Sequence, residues 1–319
     1  MKTTVICARE FGPPETVVSV EEWELPAPQP GETVVEVLAT PVNPADLNYL
    51  EGTYAERPAP PFVPGMEGVG RAADGRLVIA PIQRGWWCSH RVLAEDKLIP
   101  LPELPVATAA MLTVNPPTAY RLLRDFVALQ PGDWLIQNAA NSAVGRAVIV
   151  LARQHGWRTV NVVRRPELFY ELRALGADVV VTDDKPLSRQ IRDLTGGAEP
   201  RLALNAVGGE SARQLAKSLA RHGTLVTYGA MSREPLTVDN RSLIFQDIRF
   251  VGFWITDWYR AASRQQLLAM FDELLPLAGK CAAPVEQTYR LEQAVDALRH
   301  ARQSRRAGKV LFVPGALAA

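Results

Sequence analysis

Residues 133–165 read DWLIQNAANSAVGRAVIVLARQHGWRTVNVVRR. The run Trp134–Gln137 is apolar and strand-like, the small-residue stretch Ala139–Gly145 reads as a turn, Val148–Gly156 as a helix and Thr159–Val163 as a second strand. A dinucleotide needs this order, because its pyrophosphate sits on a helix N-terminus where unpaired backbone N–H groups and the dipole favour an anion. Set against the pattern G-x-G-x-x-G, the three glycine positions hold Ala140, Ser142 and Gly145; only the last, where helix and strand pack closely, is glycine. The second strand ends in Arg164-Arg165, about 20 residues after the turn, where NAD-selective proteins carry an acidic residue for the ribose 2′-hydroxyl. Two guanidiniums there suit a 2′-phosphate, so the expected cofactor is NADP(H), used as NADPH. The alternatives are an ordinary strand–loop–helix of another doubly wound domain and, for the arginines, a solvated strand end.

The 319 residues exceed one typical domain and suit two. With 47% hydrophobic and 22% charged residues the composition is that of a soluble globular protein. A formal net charge of +1 gives no electrostatic case for nucleic acid or an acidic membrane. No stretch approaches the roughly 20 apolar residues of a membrane span, and the start MKTTVICARE has no apolar core of a secretory signal. Cys7, Cys88 and Cys281 are odd in number and far apart, which fits reduced thiols, so a cytoplasmic location is expected. They form no C-x-x-C spacing, and His90, His155, His222 and His300 are isolated, so the expected chemistry uses no metal.

Outside the quoted stretch the texture changes once. The first 110 or so residues carry short β-like runs, Thr33–Thr40, Leu77–Pro81 and Ser89–Ala94, separated by the turn clusters PAPQPG and PAPPFVPG. From about Asn115 strands alternate with helices. The strand candidates are Trp134–Gln137, Val160–Val163, Val179–Thr182, Leu202–Asn205, Thr224–Tyr228 and Ile248–Phe253, with helices such as Pro166–Leu175 and Ser211–Arg221 between them. Such alternation predicts an α/β fold, a doubly wound parallel sheet of the Rossmann type. Helices at Ser263–Leu277 and Leu291–Arg302 and a strand at Lys309–Pro314 do not extend that pattern and are expected to pack on the N-terminal β-rich part. The domains expected are residues 1–114, 115–255 and a closing segment 256–319 that completes the first.

Seven separated motifs then carry a family resemblance: NPADLNYLEGTY at 43–54, NPPTAYRLL at 115–123, IQNAANSAVGRAVI at 136–149, NVVRR at 161–165, RLALNAVGG at 201–209, GTLVTYGAM at 223–231 and IFQDIRFVGFW at 244–254. In this order they resemble the zinc-free, quinone-reductase-like branch of the medium-chain dehydrogenase/reductase superfamily, and within it the trans-2-enoyl-thioester reductases of fatty-acid synthesis. The resemblance implies a GroES-like, β-rich catalytic domain beside the Rossmann domain, and a homodimer. It implies that Tyr54 is the proton donor, that Asn115 contacts cofactor and that Thr118 lies near the nicotinamide. The phosphate turn corresponds to Asn141, Ser142, Ala143 and Val144, and the 2′-phosphate site to Arg164, Arg165 and Pro166. Tyr228, Gly229, Ala230 and Met231 would flank the adenosine and Phe253, Trp254 and Ile255 the nicotinamide; Lys309 matches a late cofactor-contacting lysine. Zinc-binding relatives have a Cys near Asp46 and Gly-His-Glu near residues 65–67, where Asp46 and Met66 stand instead. One departure is the stretch RAADGRLVIAPIQR between Gly70 and Gly85, about ten residues shorter than in relatives.

Reducing an activated C=C takes a hydride to the β-carbon, a proton to the α-carbon and donors for the enolate oxygen between them. A tyrosine is protonated at neutral pH and can supply that proton; Tyr54 is equally readable as a loop-packing aromatic. Asn43 either orients Tyr54 or the carboxamide, or merely starts a turn. Trp86, Trp87, Trp254 and Trp258 line an apolar acyl pocket or belong to ordinary cores. The function expected is NADPH-dependent reduction of a 2-enoyl thioester of CoA or acyl carrier protein. A quinone or general enone reductase and a non-catalytic NADPH-binding regulator are the alternatives.

Overall fold

The computed structural model describes residues 1–184 and 186–315. Its strands in chain order are β1 (Lys2–Ala8), β2 (Val18–Glu24), β3 (Glu32–Pro41), β4 (Val69–Ala72), β5 (Leu77–Ile79), β6 (His90–Ala94), β7 (Ile99–Pro100), β8 (Trp134–Gln137), β9 (Arg158–Val163), β10 (Val179–Thr182), β11 (Leu202–Asn205), β12 (Thr224–Thr227), β13 (Arg249–Gly252), β14 (Val285–Tyr289) and β15 (Lys309–Phe312). They fall into two compact units, one of residues 1–114 with 282–319 and one of 115–281.

In the second unit all strand pairs are parallel, in the order β10-β9-β8-β11-β12-β13. This is the doubly wound arrangement expected from the alternating texture, and its strand order reverses between β8 and β11. The central strands are largely buried, β11 at all four residues, as a sheet covered on both faces requires, and their buried polar side chains Gln137 and Asn161 bond to each other. Two element boundaries differ from the sequence reading. The helix after β8 begins at Ala143 rather than Val148, because Ser142 caps it by accepting from Gly145 N at 3.1 Å. The small residues that read as turn are its first turn.

The second difference is the end of the unit. Residues 256–281 were expected to close the N-terminal domain, but the division falls at 282. The helices Ile255–Ala261 and Arg264–Leu274 pack on the helix Asn115–Arg124. Their anchors are polar as well as apolar: the Tyr120 hydroxyl donates to Glu273 Oε1 at 2.7 Å, and Met270, Phe271 and Leu274 are buried. Helical periodicity alone does not say which neighbour buries the apolar face.

The other unit is β-rich. Strands β1 and β2 form an antiparallel ribbon from Lys2 opposite Glu24 to Ala8 opposite Val18. A larger sheet runs β14-β15-β3-β4-β5-β7, with β6 also pairing β3. Strand β3 is its hub, and residues Leu77–Ile79 and Lys309–Phe312 are buried throughout. Trp86 and Trp87 are fully buried, in two different core clusters, with the Trp87 ring 5.1 Å from that of Phe312. Their role is core packing; the acyl-pocket reading does not hold for these two. No helix among the described residues is long and apolar enough to cross a membrane.

Candidate active site

The cofactor turn is built by close packing. Ala139 takes the left-handed φ of +47° usually left to glycine, and a Cβ at Gly145 would stand 2.5 Å from Ala140 O. The left-handed angle falls on Ala139 and not on Ala140 or Ser142, the two motif positions without glycine, while the third position admits nothing larger. Of the first backbone N–H groups of the 12-residue helix Ala143–Gln154, Gly145's goes to Ser142, and those of Ala143 and Val144 stand at the same N-terminus. Beside Ser142 the Tyr228 hydroxyl is buried with no hydrogen-bond partner. Burial pushes its pKa up, and the neighbouring Ser142 pulls the other way without completing a bond of good geometry. Asn115 Nδ2 is a second buried donor without a partner. Buried donors normally find acceptors. The Tyr228 hydroxyl, left over beside Ser142 at a helix N-terminus, fits an anionic dinucleotide.

Around this turn lies a buried amide network that motif reading did not single out. At the reversal of strand order, Asn138 Nδ2 donates to Asn205 Oδ1 (2.8 Å) and Ser211 Oγ (3.0 Å), and Asn138 Oδ1 accepts from Ala206 N at 2.7 Å. Asn205 Oδ1 also accepts from Val207 N and Gly208 N, while its Nδ2 donates to Thr227 Oγ1. The loop after β12 is joined to this one by Met231 N to Ala206 O at 3.0 Å, and a Cβ on Gly229 would meet Ala206 O at 2.9 Å. So Tyr228–Met231 is held against the crevice at the carboxyl ends of the strands, where ligands of such sheets bind. Met231 is exposed and Arg164 and Pro166 are exposed just past β9, with Arg165 half-buried. Thr118 is buried on the helix Asn115–Arg124. Phe253 packs edge-on against Phe126 at 5.8 Å, and Trp254 caps the helix that Ile255 begins.

In the β-rich unit the expected residues separate into two groups. Asn43, at the start of the helix Pro44–Leu50, is buried; its Nδ2 donates to Glu67 Oε1 at 2.9 Å and its Oδ1 accepts from Lys309 Nζ. Glu67 Oε2 accepts from Thr113 N (3.0 Å), Thr113 Oγ1 (3.3 Å) and Val114 N (2.9 Å). Asp46 accepts from Asn43 N and Met66 N, each at 2.8 Å. Glu67 and Asp46 are 0% and Lys309 8% exposed, so each charge is paid for by hydrogen bonds and by the others. Burial pushes Asp46 up to about 7 and Glu67 upward, and brings Lys309 down to about 8. The amide of Asn43 is therefore engaged by Glu67 and Lys309 rather than by Tyr54. Glu67 is the hub, and sequence reading noted it only as the last residue of a lost zinc triplet.

Tyr54 follows that helix in a loop, half-buried, with its N–H on Asn48 O at 3.1 Å. Its ring meets Tyr49 edge-on at 6.3 Å, and the Arg84 guanidinium lies 5.4 Å from its centroid. Among the described residues no group of three His, Cys, Asp or Glu is placed to hold a metal ion.

A zinc-binding dehydrogenase family model matches residues 143–273, and an alcohol dehydrogenase GroES-like domain model matches 29–85. The chain is 41% identical over 312 residues to the mitochondrial enoyl-[acyl-carrier-protein] reductase of Xenopus tropicalis, covering 91% of this chain and 89% of that one. Among solved structures it resembles Etr1p of Candida tropicalis, a 2-enoyl thioester reductase, in complex with NADP and crotonyl-CoA (TM-score 0.87, 26% identity, 98% and 100% coverage). It also resembles a quinone oxidoreductase of Pseudomonas syringae (TM-score 0.86, 25% identity, 98% and 100% coverage). The cytoplasmic expectation is corrected by these relatives: the Xenopus, human and Arabidopsis thaliana enzymes are all named mitochondrial. Cys7, Cys88 and Cys281 are buried and form no disulfide among the described residues.

Proposed function

The chain belongs to the zinc-free, enoyl-reductase-like branch of the medium-chain dehydrogenase/reductase superfamily, and we propose that it reduces the C=C bond of a 2-enoyl thioester of CoA or acyl carrier protein with NADPH. It is an oxidoreductase; what carries the choice of substrate class is the length-wide match to enoyl-thioester reductases. NADPH rather than NADH is supported by Arg164 and Arg165 at the end of β9. Asn115, Asn141, Ser142, Ala143, Val144 and Tyr228–Met231 would hold the dinucleotide, and Phe253, Trp254 and Ile255 would flank its nicotinamide end. When bound, NADPH supplies the hydride that goes to the β-carbon. Tyr54 supplies the proton for the α-carbon, its O–H electron pair remaining on the phenol oxygen. Thr118 is a donor for the enolate or the carboxamide. Asn43 and Lys309 act through the Glu67 cluster, fixing the helix that leads to Tyr54.

A homodimer is part of the proposal. Strand β13 ends the six-stranded order, and Leu243, Ile244, Phe245 and Val251 beside it are exposed apolar side chains. An open edge with such neighbours suits pairing with a second copy. Rates with crotonyl-CoA and with a simple quinone, each with NADPH, separate the readings. Turnover of crotonyl-CoA well above the quinone is expected; quinone turnover alone favours the quinone-reductase reading, and neither a regulator.

A further inference from the structure

The shortened segment between Gly70 and Gly85 ends in a loop whose backbone is held in an unusual shape. Ile82 adopts a φ of +67°, a region that β-branched residues almost never visit, and such outliers persist only where surroundings enforce them. Here Gly85 N donates to Gly65 O at 3.0 Å, and Arg91 donates to Arg84 O at 2.7 Å and Gln83 O at 3.4 Å while lying over Trp86. What the loop presents is Arg84. Its guanidinium lies 5.0 Å from the ring centroid of Tyr49 and 5.4 Å from that of Tyr54, and it pairs with Glu56. Only 17% of the side chain is exposed, and Nη1 is buried without a hydrogen-bond partner.

We propose that Arg84 is a positioning residue for Tyr54, fixing its ring and stabilising the negative charge left when the hydroxyl gives up its proton. This rests on the reading of Tyr54 as the acid. A cation over an aromatic face is attracted to the ring quadrupole. A phenolate spreads its charge into the ring, so the attraction grows as the proton leaves, and shielding from water strengthens it further. In the step, the enolate's electron pair forms the new C–H bond and the phenolate regains a proton from water.

The other charged or titratable groups at this spot are Glu56, tied to Arg84; the Tyr49 phenol; and Asp46, which acts on Tyr49 from the same helix. Arg57 lies instead over Phe11, at 5.3 Å. Burial pushes the Tyr49 hydroxyl up, and Arg84 is the largest influence in the opposite direction. The same cation faces both rings, and only Tyr54 stands at the end of the motif NPADLNYLEGTY, the place of the expected acid.

The test is a double-mutant cycle on the full enzyme with crotonyl-CoA and NADPH. Arg84→Met should lower kcat by about 3–30-fold, the usual worth of a desolvated cation–π contact, with KM for NADPH unchanged. In a Tyr54→Phe background the same substitution should cost nothing further, because no phenolate forms. The solvent deuterium isotope effect on kcat should rise in Arg84→Met, as proton transfer becomes more limiting. Arg84→Lys, which keeps a cation beside Glu56, should retain most of the kcat and serves if the Met variant does not fold. Equal losses in both backgrounds, or a Lys variant that folds yet falls as low as Tyr54→Phe, would overturn the proposal. If Tyr54→Phe loses activity and Arg84→Met does not, only this proposal fails. If Tyr54→Phe keeps its full kcat, the acid reading fails and takes this one with it.

Discussion

The turn at Ala139–Gly145 and the cluster around Glu67 are both dense in polar groups, and they are built in opposite ways. The turn uses seven consecutive residues and leaves a buried donor beside it unpartnered, the Tyr228 hydroxyl. The cluster draws on Asn43, Asp46, Glu67, Thr113, Val114 and Lys309, and ties each of its three charged side chains into hydrogen bonds within the unit. An unsatisfied site can gain by binding; a satisfied one can only lose by being disturbed. On the proposed function, cofactor affinity would rest with the first region and stability with the second, and Tyr54 would serve the reaction itself.

The largest effect expected is therefore on rate. Tyr54→Phe keeps the ring and removes its proton, so kcat on an enoyl thioester should fall by about 10²–10⁴. NADPH affinity and melting temperature should stay where they were, since the loss falls on the transition state. Retention of most of the kcat would reduce Tyr54 to a packing residue.

Next in size is Glu67→Gln. One amide oxygen can replace Oε2, but the new NH₂ then faces Asn43 Nδ2, donor against donor, and turning the Asn43 amide would abandon Lys309. A stability loss of about 2–4 kcal/mol is expected in denaturant unfolding, with NADPH affinity unchanged in the folded enzyme. The reverse outcome would erase the distinction between the two regions. Arg164→Ser should do the opposite. It removes a charge-assisted contact worth about 1.5–3 kcal/mol, so the NADPH dissociation constant should rise by about 10–100-fold, with NADH binding and stability little changed.

The smallest effect is in the pH dependence. Asp46 is pushed up to about 7 by burial, so the unfolded chain ionises it at lower pH than the folded one does. Its contribution to stability is complete below its unfolded value near 4 and is lost as pH rises through about 7. Compared with Asp46→Asn, the unmodified protein's advantage should be greatest near pH 4 and shrink steadily as pH rises to 7. A constant difference across that range would mean that Asp46 does not titrate in the folded state.

What could be read in the chain divides along the same line. Strands β8 to β13 were legible because each is a short apolar run with its own boundaries, and Gly145 was legible because one backbone contact forbids a side chain. The cluster was not, since its bonds join residues up to 266 positions apart and each is ordinary alone. Glu67 carries no periodic signal, and Lys309 was placed by resemblance as a cofactor contact with no hint of its bond to Asn43. The helix pair after Trp254 was assigned to the wrong unit because amphipathic spacing tells that a face is buried, not against what. Arg84 had no sequence mark beyond ending a stretch shorter than in relatives.

The central claim is transfer of hydride from NADPH to the β-carbon of an enoyl thioester. It is tested most directly by incubating the enzyme with crotonyl-CoA and NADPH deuterated at the transferable position of the nicotinamide, and locating the label in the product by NMR. The account predicts butyryl-CoA carrying one deuterium, on the β-carbon, with a solvent-derived hydrogen on the α-carbon. Failure to form butyryl-CoA, or butyryl-CoA without label at the β-carbon, would contradict it.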